Sequence, residues 1–364
     1  MPLKLDFTTH TLQFTFDAGT SRGVLKEKPS ILLKLYDPSD SKMFGLGEAG
    51  PLKGLSMEDI DDLPDVIKTL QSDILPVRAP GSVEDALHLA HQLIPSGYPS
   101  LRFALETALL DFMNGGSGII FKNAFTTGSF PIPINGLIWM GDKDFMLKQI
   151  KEKLDAGYTC LKLKIGAIDF DTECEILAGI RKKFGPDDIT LRVDANGAFK
   201  PAEALLRLEK LSQYQLHSIE QPVQAGQWEA YHVLCSRSPV PIALDEELIG
   251  VEQKAMKAEL LDFIKPQFIV LKPSLLGGFM ATREWIDLAE KRNVGWWMTS
   301  ALESNIGLNA IAQFTAEFPL DMPQGLGTGQ LYNNNFTSPL FISHGFLNSG
   351  QANVWDFRQL TFDK

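Results

Sequence analysis

The sequence predicts an α/β protein: a (β/α)8-type, modified TIM-like barrel, preceded by an N-terminal α+β unit that the C-terminal tail completes. Three observations predict it. From about residue 136, short apolar runs alternate with amphipathic helical stretches at a steady beat. Before that beat, strand-like segments give way to helical ones, the order of an α+β unit. The last residues break the beat and return to short strand-like segments.

The elements follow in order. Residues 2–16 and 22–36 alternate apolar and polar, like antiparallel strands. FGLGEAGPLKGLS (44–56) is rich in Gly and Pro and reads as a long loop, either a lid or a plain connector. Helical periodicity follows at 57–72, 82–95 and 99–113. Barrel strands are expected at GLIWMG (136–141), CLKLKIG (160–166), ITLRVDAN (189–196) and LHSIEQP (216–222). Three more are expected at PIALDEE (241–247), FIVLKPS (268–274) and GWWMTSALES (295–304). Helical patterns such as PAEALLRLEKLSQY (201–214) and ATREWIDLAEKRN (281–293) lie between them. A weak eighth beat sits in QGLGTGQLY (324–332), and residues 333–360 are expected to return to the N-terminal unit as strands. The expected divisions are 1–132 for the N-terminal unit, 133–325 for the barrel, and 326–364 for the last barrel strand and the return. A doubly wound open sheet is the structural alternative; no GxGxxG follows an early strand, which weakens it.

The 364 residues exceed one ordinary small domain, which fits a large barrel plus a companion. Hydrophobic content of 44% and charged content of 22% fit a soluble globular protein. A net charge of -11 argues against nucleic acid as a partner, and leaves room for a local positive pocket. Cys160, Cys174 and Cys235 are far apart and form no CxxC pair, so neither a disulfide framework nor a zinc knuckle is expected, and a reducing cytoplasm is. MPLKLDFTTHTLQFTF lacks an apolar signal-peptide region. No apolar run approaches the roughly 20 residues that span a bilayer, so no membrane partner is expected. A homo-oligomer is left open.

Charges sit at the ends of the expected strands. CLKLKIG carries Lys162 and Lys164, two apart and so on one face. LRVDAN carries Asp194, SIEQP Glu220, IALDEE Asp245 and VLKP Lys272; Ser300 and Glu303 end the seventh strand. From Lys164 to Lys272 the intervals are 30, 26, 25 and 27 residues. In such barrels the C-terminal strand ends carry the active site. Adjacent strands lie about 4.8 Å apart, so three carboxylates on neighbouring strands can converge. Three hard oxygen ligands without His or Cys suit Mg²⁺, or Mn²⁺, better than zinc. Strands two and six are opposite in an eight-stranded barrel, which sets Lys164 and Lys272 across the mouth from each other.

Plainer readings stand beside these. KxK alone is an ordinary solvated strand face, a lone strand-end acid is often a helix N-cap, and the set could be a structural salt-bridge network. His88 and His91 lack a third ligand and read as packing or surface residues on a helix. GLGTG (325–329) lacks a phosphate-loop context and reads as the short eighth strand and its turn. Trp296 and Trp297 read as one core and one helix-facing residue.

KLKIG, VDANGAF, IEQPV, LDEEL and VLKPSLLGG, in that order, resemble the enolase superfamily and, more narrowly, its muconate-lactonizing-enzyme subgroup. The resemblance implies a capping domain at the N-terminus, completed by the tail, with 44–56 as a mobile cap loop. It implies Mg²⁺ held by Asp194, Glu220 and Asp245, with Mn²⁺ able to substitute. Lys164 becomes the acid/base on one face of a small carboxylate substrate, and Lys272 stands on the other face. Lys162 sits one layer deeper, orients the carboxylate and tunes Lys164. Asn196 supports the site, and Glu246 lies outside the ligand set. The implied chemistry is removal of a proton α to the carboxylate. That proton is weakly acidic, and the enediolate it leaves needs concentrated positive charge. A lysine base must be neutral, and neighbouring cations push it that way.

The branch with a catalytic His on the seventh strand is not matched, since GWWMTSALES has none. The Asp-x-Asp of dipeptide epimerases is absent from 318–335, which holds only Asp321. TSALESNIGL (299–308) is similar to the SSLESSIGL-like stretch of a dehydrating branch, with Ala301 and Asn305 in place of serines. The branch implies syn-dehydration of 2-succinyl-6-hydroxy-2,4-cyclohexadiene-1-carboxylate to o-succinylbenzoate, in menaquinone synthesis. Ser300, Glu303 and Ser304 are then expected at the substrate, with the following helix N-terminus facing the succinyl carboxylate. An N-acylamino-acid racemase or dipeptide epimerase, with Lys164 and Lys272 as opposed bases, is the alternative. A non-catalytic metal-binding barrel is the alternative from another class.

Overall fold

The computed structural model describes residues 2–20, 23–350 and 354–362. β1 (Lys4–Thr20), β2 (Gly23–Asp37) and β3 (Asp40–Ala49) form an antiparallel sheet in that order. β3 corrects the expected loop: Phe44 to Ala49 pair with β2, and only the residues from Gly50 onward leave the sheet. The glycines that read as loop punctuation have another purpose. A Cβ on Gly45 would lie 2.0 Å from the Ala108 carbonyl oxygen, and one on Gly47 would lie 1.9 Å from that of Ala104. Both oxygens belong to a helix that presses its backbone onto β3, an approach only glycine permits.

That helix is α3 (Pro99–Met113), preceded by α1 (Leu63–Ile74) and α2 (Val83–Leu93). A proline in the first turn starts both α1 and α3, where a missing N–H does no harm. α3 is buried from Pro99 to Phe112. It has no polar face because it is wedged between the N-terminal sheet and the barrel helices.

The barrel begins after β4 (Ile132–Pro133). It runs β5 (Gly136–Ile138), α4 (Lys143–Asp155), β6 (Cys160–Lys164), α5 (Phe170–Arg181), β7 (Thr190–Asp194), α6 (Pro201–Ser212) and β8 (Ser218–Glu220). Next come α7 (Trp228–Arg237), β9 (Ile242–Leu244), α8 (Lys254–Ile264), β10 (Phe268–Leu271), α9 (Pro273–Leu276), α10 (Gly278–Glu290), β11 (Gly295–Met298) and α11 (Asn305–Thr315). β5 to β11 form one parallel sheet in sequence order. Two residues stand at the eighth position: Gln324 bridges Ile134 and Gly325 bridges Thr299, both in parallel, which joins the two edges. Trp297 points into the barrel beneath the Arg192 guanidinium, 4.2 Å from it, while Trp296 packs edge-on against Phe318.

The tail returns to the N-terminal sheet by a different route from the expected strands. Tyr332 bridges Phe14 of β1, and Phe336, Trp355 and Phe357 pack with Leu32 and Leu46. The hairpin of β12 (Leu340–Ser343) and β13 (Phe346–Ser349) pairs instead with β4, beside the start of the barrel.

Two outcomes are expected. Gly47→Ala forces α3 off β3, and urea unfolding should show a loss of about 1–3 kcal/mol. Glu106 of α3 is fully buried and accepts a hydrogen bond from the Phe279 N–H at the start of α10. Burial pushes its carboxyl up to about 8, from an ordinary 4.5. Between those values the folded chain holds a proton that the unfolded chain has lost, so stability falls as pH rises. Glu106→Gln should flatten that slope, raising the melting temperature at pH 8 more than at pH 5.

Candidate active site

β6 alternates so that Lys162 and Lys164 face the barrel interior, and its lysines are covered rather than wet. The parallel register sets Lys164 opposite Asp194, and Asp194 opposite Glu220. Asp245 directly follows β9, and Lys272 directly follows β10. Lys164, Asp194, Glu220, Asp245 and Lys272 therefore stand at C-terminal strand ends, with Lys162 one layer deeper.

The charges meet. Lys162 Nζ lies 2.6 Å from both Glu220 carboxylate oxygens and 3.0 Å from Asp194 Oδ2. Lys164 Nζ donates to the same Asp194 oxygen at 3.0 Å and to Asn196 Oδ1 at 2.7 Å. Lys272 is paired with Asp245. Asn196 adopts a left-handed backbone with φ 43°, and its N–H donates to Asp194 Oδ1 at 3.0 Å. Its amide donates to Glu246 Oε1 at 2.9 Å, which aims its oxygen at Lys164. Gln221, also left-handed, accepts from the Asp245 N–H at 2.9 Å and ties the end of β8 to that of β9.

Burial decides the electrostatics. Burial alone would discharge Lys162, but the charges of Asp194 and Glu220 outweigh it and raise its pKa. Burial would likewise raise Asp194, yet Lys162, Lys164 and Lys272 hold its carboxyl well below the usual range. Glu220 goes the other way: burial, then the Asp194 charge, raise it well above an ordinary carboxylate. Lys272 is raised by Asp245, Glu246 and Glu220 against its burial.

Among the described residues, no three His, Cys, Asp or Glu side chains stand within ligand reach of one point. The Lys162 ammonium occupies the space between Asp194 and Glu220, and Lys272 covers Asp245. The donor set nevertheless fits a hard dication: three buried carboxylates from successive strands, without His or Cys.

Above the row lies a cavity of about 480 Å³. Its floor includes Lys162, Lys164, Asp194, Asn196 and Lys272, and its far wall includes Lys28, Pro51, Leu52 and Leu55 from the N-terminal unit. A family model described as enolase C-terminal domain-like matches residues 146–352. The chain is 48% identical to the o-succinylbenzoate synthase of Desulfotalea psychrophila, over 95% of this chain and 98% of that one.

The chain belongs to the enolase superfamily.

A crystal structure of MenC from Desulfotalea psychrophila superposes with a TM-score of 0.86 at 44% identity, covering 96% of this chain and 100% of that one. Muconate lactonizing enzyme from Pseudomonas fluorescens shares the fold at 21% identity, with a TM-score of 0.83 and coverage of 98% and 97%.

Within this enolase-superfamily frame, the seventh strand end departs from expectation. Ser300 lines the cavity, donating to Glu303 Oε2 at 2.6 Å and accepting from Thr328 Oγ1 at 2.8 Å. Glu303 and Ser304 do not line it. Glu303 is buried 1% exposed and accepts from Ser274, Ser300 and the Ala301 N–H. The left-handed Leu302, φ 68°, folds the chain back to make this possible. Ser304 caps α11 and bonds Glu48 of β3. The α11 N-terminus does hold an anion, but it is Glu48: the Ser304 and Gly307 N–H groups donate to it at 2.9–3.1 Å. The expected place for a substrate carboxylate is thus filled by the protein's own carboxylate. Lys28 and Glu48 escaped the sequence reading; the only trace is that Lys28 and Ser30 share one face of β2.

Lys162→Met should leave Asp194 and Glu220 buried without their shared partner. Equilibrium urea unfolding without divalent metal should show a loss of about 3–5 kcal/mol.

Proposed function

We infer that the chain carries out the o-succinylbenzoate synthase reaction: dehydration of 2-succinyl-6-hydroxy-2,4-cyclohexadiene-1-carboxylate to o-succinylbenzoate in menaquinone biosynthesis. Identity of 48% over 95% of the chain carries the specific reaction. The geometry supports its class: lysines from β6 and from the end of β10 line one cavity beside three buried carboxylates.

Lys164 takes the proton from the ring carbon bearing the carboxylate, and the C–H electron pair moves into an enediolate. That pair then expels the neighbouring hydroxyl as the C–O bond breaks. Lys164, now protonated and on the same face, returns the proton to the departing oxygen, so water leaves and the ring becomes aromatic. Asn196 Oδ1, 2.7 Å from Lys164 Nζ, holds the ammonium in place. Lys272 offsets the developing charge from the opposite face, and its ammonium meets the ring as a cation over a π system. Asp194, Glu220 and Asp245 are the groups that would hold Mg²⁺ or Mn²⁺. When bound, that ion supplies Lewis-acid neutralisation of the substrate carboxylate. Lys162, locked beneath, fixes Asp194 and Glu220.

Residues 50–59 close the cavity from above: Pro51, Leu52, Leu55 and Asp59 line it and keep bulk water from the enediolate. The proposed division at 132/133 sets this N-terminal unit apart as the cap, and Tyr332, Phe336, Trp355 and Phe357 of the proposed 326–364 segment return to it. No helix among the described residues is long and apolar enough to cross a membrane; the three free cysteines suit a reaction in a reducing cytoplasm.

Purified protein with Mg²⁺ should convert the cyclohexadiene substrate to o-succinylbenzoate, and EDTA should stop it. Lys164→Ala should lower kcat by about 10²–10⁴-fold. Full activity in that variant would overturn the role of Lys164. α-Deuterium exchange on N-succinyl amino acids without any dehydration would overturn the reaction itself in favour of a racemase.

A further inference from the structure

We propose that Lys28, on β2 of the N-terminal sheet, binds the distal carboxylate of the substrate's succinyl side chain and so selects acids with a second anionic end. This rests on the dehydratase reading above.

Lys28 is only 2% exposed, yet it lines the cavity. Its ammonium has three donors. It donates to Ser30 Oγ at 3.2 Å and stands 4.0 Å from Glu48 Oε1, at the outer limit of an ion pair. Glu48 does not depend on that contact. Its carboxylate accepts from the Ser30 hydroxyl at 2.9 Å, the Ser304 N–H and hydroxyl, and the Gly307 N–H. A buried ammonium so loosely held keeps donor capacity for an incoming anion, and an anion completes its pairing.

The other anion sites are taken. Lys162, Lys164 and Lys272 are bound to the carboxylates at the reacting end. The α11 N-terminus holds Glu48. Lys53 is exposed on the cavity rim. Lys28 alone among these cations is both buried and away from the strand-end carboxylates. Its setting is built for it: a Cβ on Gly50 would come 2.1 Å from Lys28 Nζ and 2.7 Å from Ser30 Oγ. The chain thus turns from β3 into the segment over the cavity at a residue that leaves the ammonium its space. The substrate's two carboxylates are held at two ends, one by the barrel and one by the N-terminal sheet.

The test uses the full chain with Mg²⁺ and two ligands in calorimetry. One is o-succinylbenzoate; the other, 2-butyrylbenzoate, keeps the ring carboxylate and the ketone but ends in a methyl group. Lys28→Met should weaken o-succinylbenzoate about 10- to 100-fold, the range of a charge-assisted hydrogen bond, and leave 2-butyrylbenzoate unchanged within about twofold. In turnover, KM should rise while kcat holds, and Lys28→Arg should recover most of the affinity. Equal losses for both ligands, or none, would overturn the proposal. So would a wild-type preference for o-succinylbenzoate below about tenfold, a result that needs no variant to fold. Wild-type protein without dehydratase activity would sink the reaction reading instead; active wild type with an indifferent Lys28→Met sinks only this inference.

Discussion

The barrel mouth depends on one contact, the Lys162 ammonium held between Glu220 and Asp194. None of the three could be buried alone, because an unpaired charge in that interior costs several kcal/mol. Together they are nearly inaccessible: Asp194 is 1% exposed, Glu220 2% and Lys162 7%. The contact exists because the parallel register stacks β6, β7 and β8 in one row. It also divides the labour of two lysines only two residues apart. Lys162 is clamped by three carboxylate oxygens and serves the row itself. Lys164 shares a single oxygen of Asp194 and leans on a neutral amide, which leaves it nearer the cavity and freer to change partners.

A second constraint fixes the wall opposite that row. Buried carboxylates that meet backbone N–H groups tie the N-terminal unit together and to the barrel helices, the same device at several joints. Glu48 meets the start of α11, and Glu106 meets the start of α10. Glu58 meets the Ser100 N–H in the first turn of α3, and Asp111 meets the N–H groups of Leu46 and Gly118. At Glu48, Glu58 and Glu106 a helix start supplies unpaired N–H donors and a positive dipole end, which favours a carboxylate there. With α3 pressed onto glycines of β3, the wall carrying Lys28 is set against the barrel by backbone contacts rather than by surface ion pairs.

These two constraints were unequally legible. The barrel could be read because strand-end charges recur at intervals of 25 to 30 residues, and a period survives without coordinates. α3 could be read to its exact ends because proline starts it and an apolar run fills it. FGLGEAG could not, since glycine looks the same whether it bends a loop or admits a helix backbone 1.9 Å from a missing Cβ. The ALES segment misled for a different reason. A helix N-terminus after a strand does call for an anion, and one is there, but it comes from Glu48, 256 residues earlier. Ser304 and Glu303 were therefore expected at the substrate when both are bound within the protein. Local chemistry was read correctly at that point; the long-range partner was the missing term.

The same inequality governs what each part of the cavity can tolerate. Replacing Lys162 strands the buried Asp194 and Glu220, and replacing either carboxylate weakens the hold on Lys162, so these three change only together. Across the cavity the coupling is loose. Glu48 keeps the Ser304 and Gly307 N–H groups whatever stands at position 28, and Lys28 reaches it only at 4.0 Å. A change at 28 therefore alters the charge facing the far end of the cavity while leaving the reacting end intact. Chemistry is held where charges are mutually dependent, and recognition where one charge is nearly free of its neighbours.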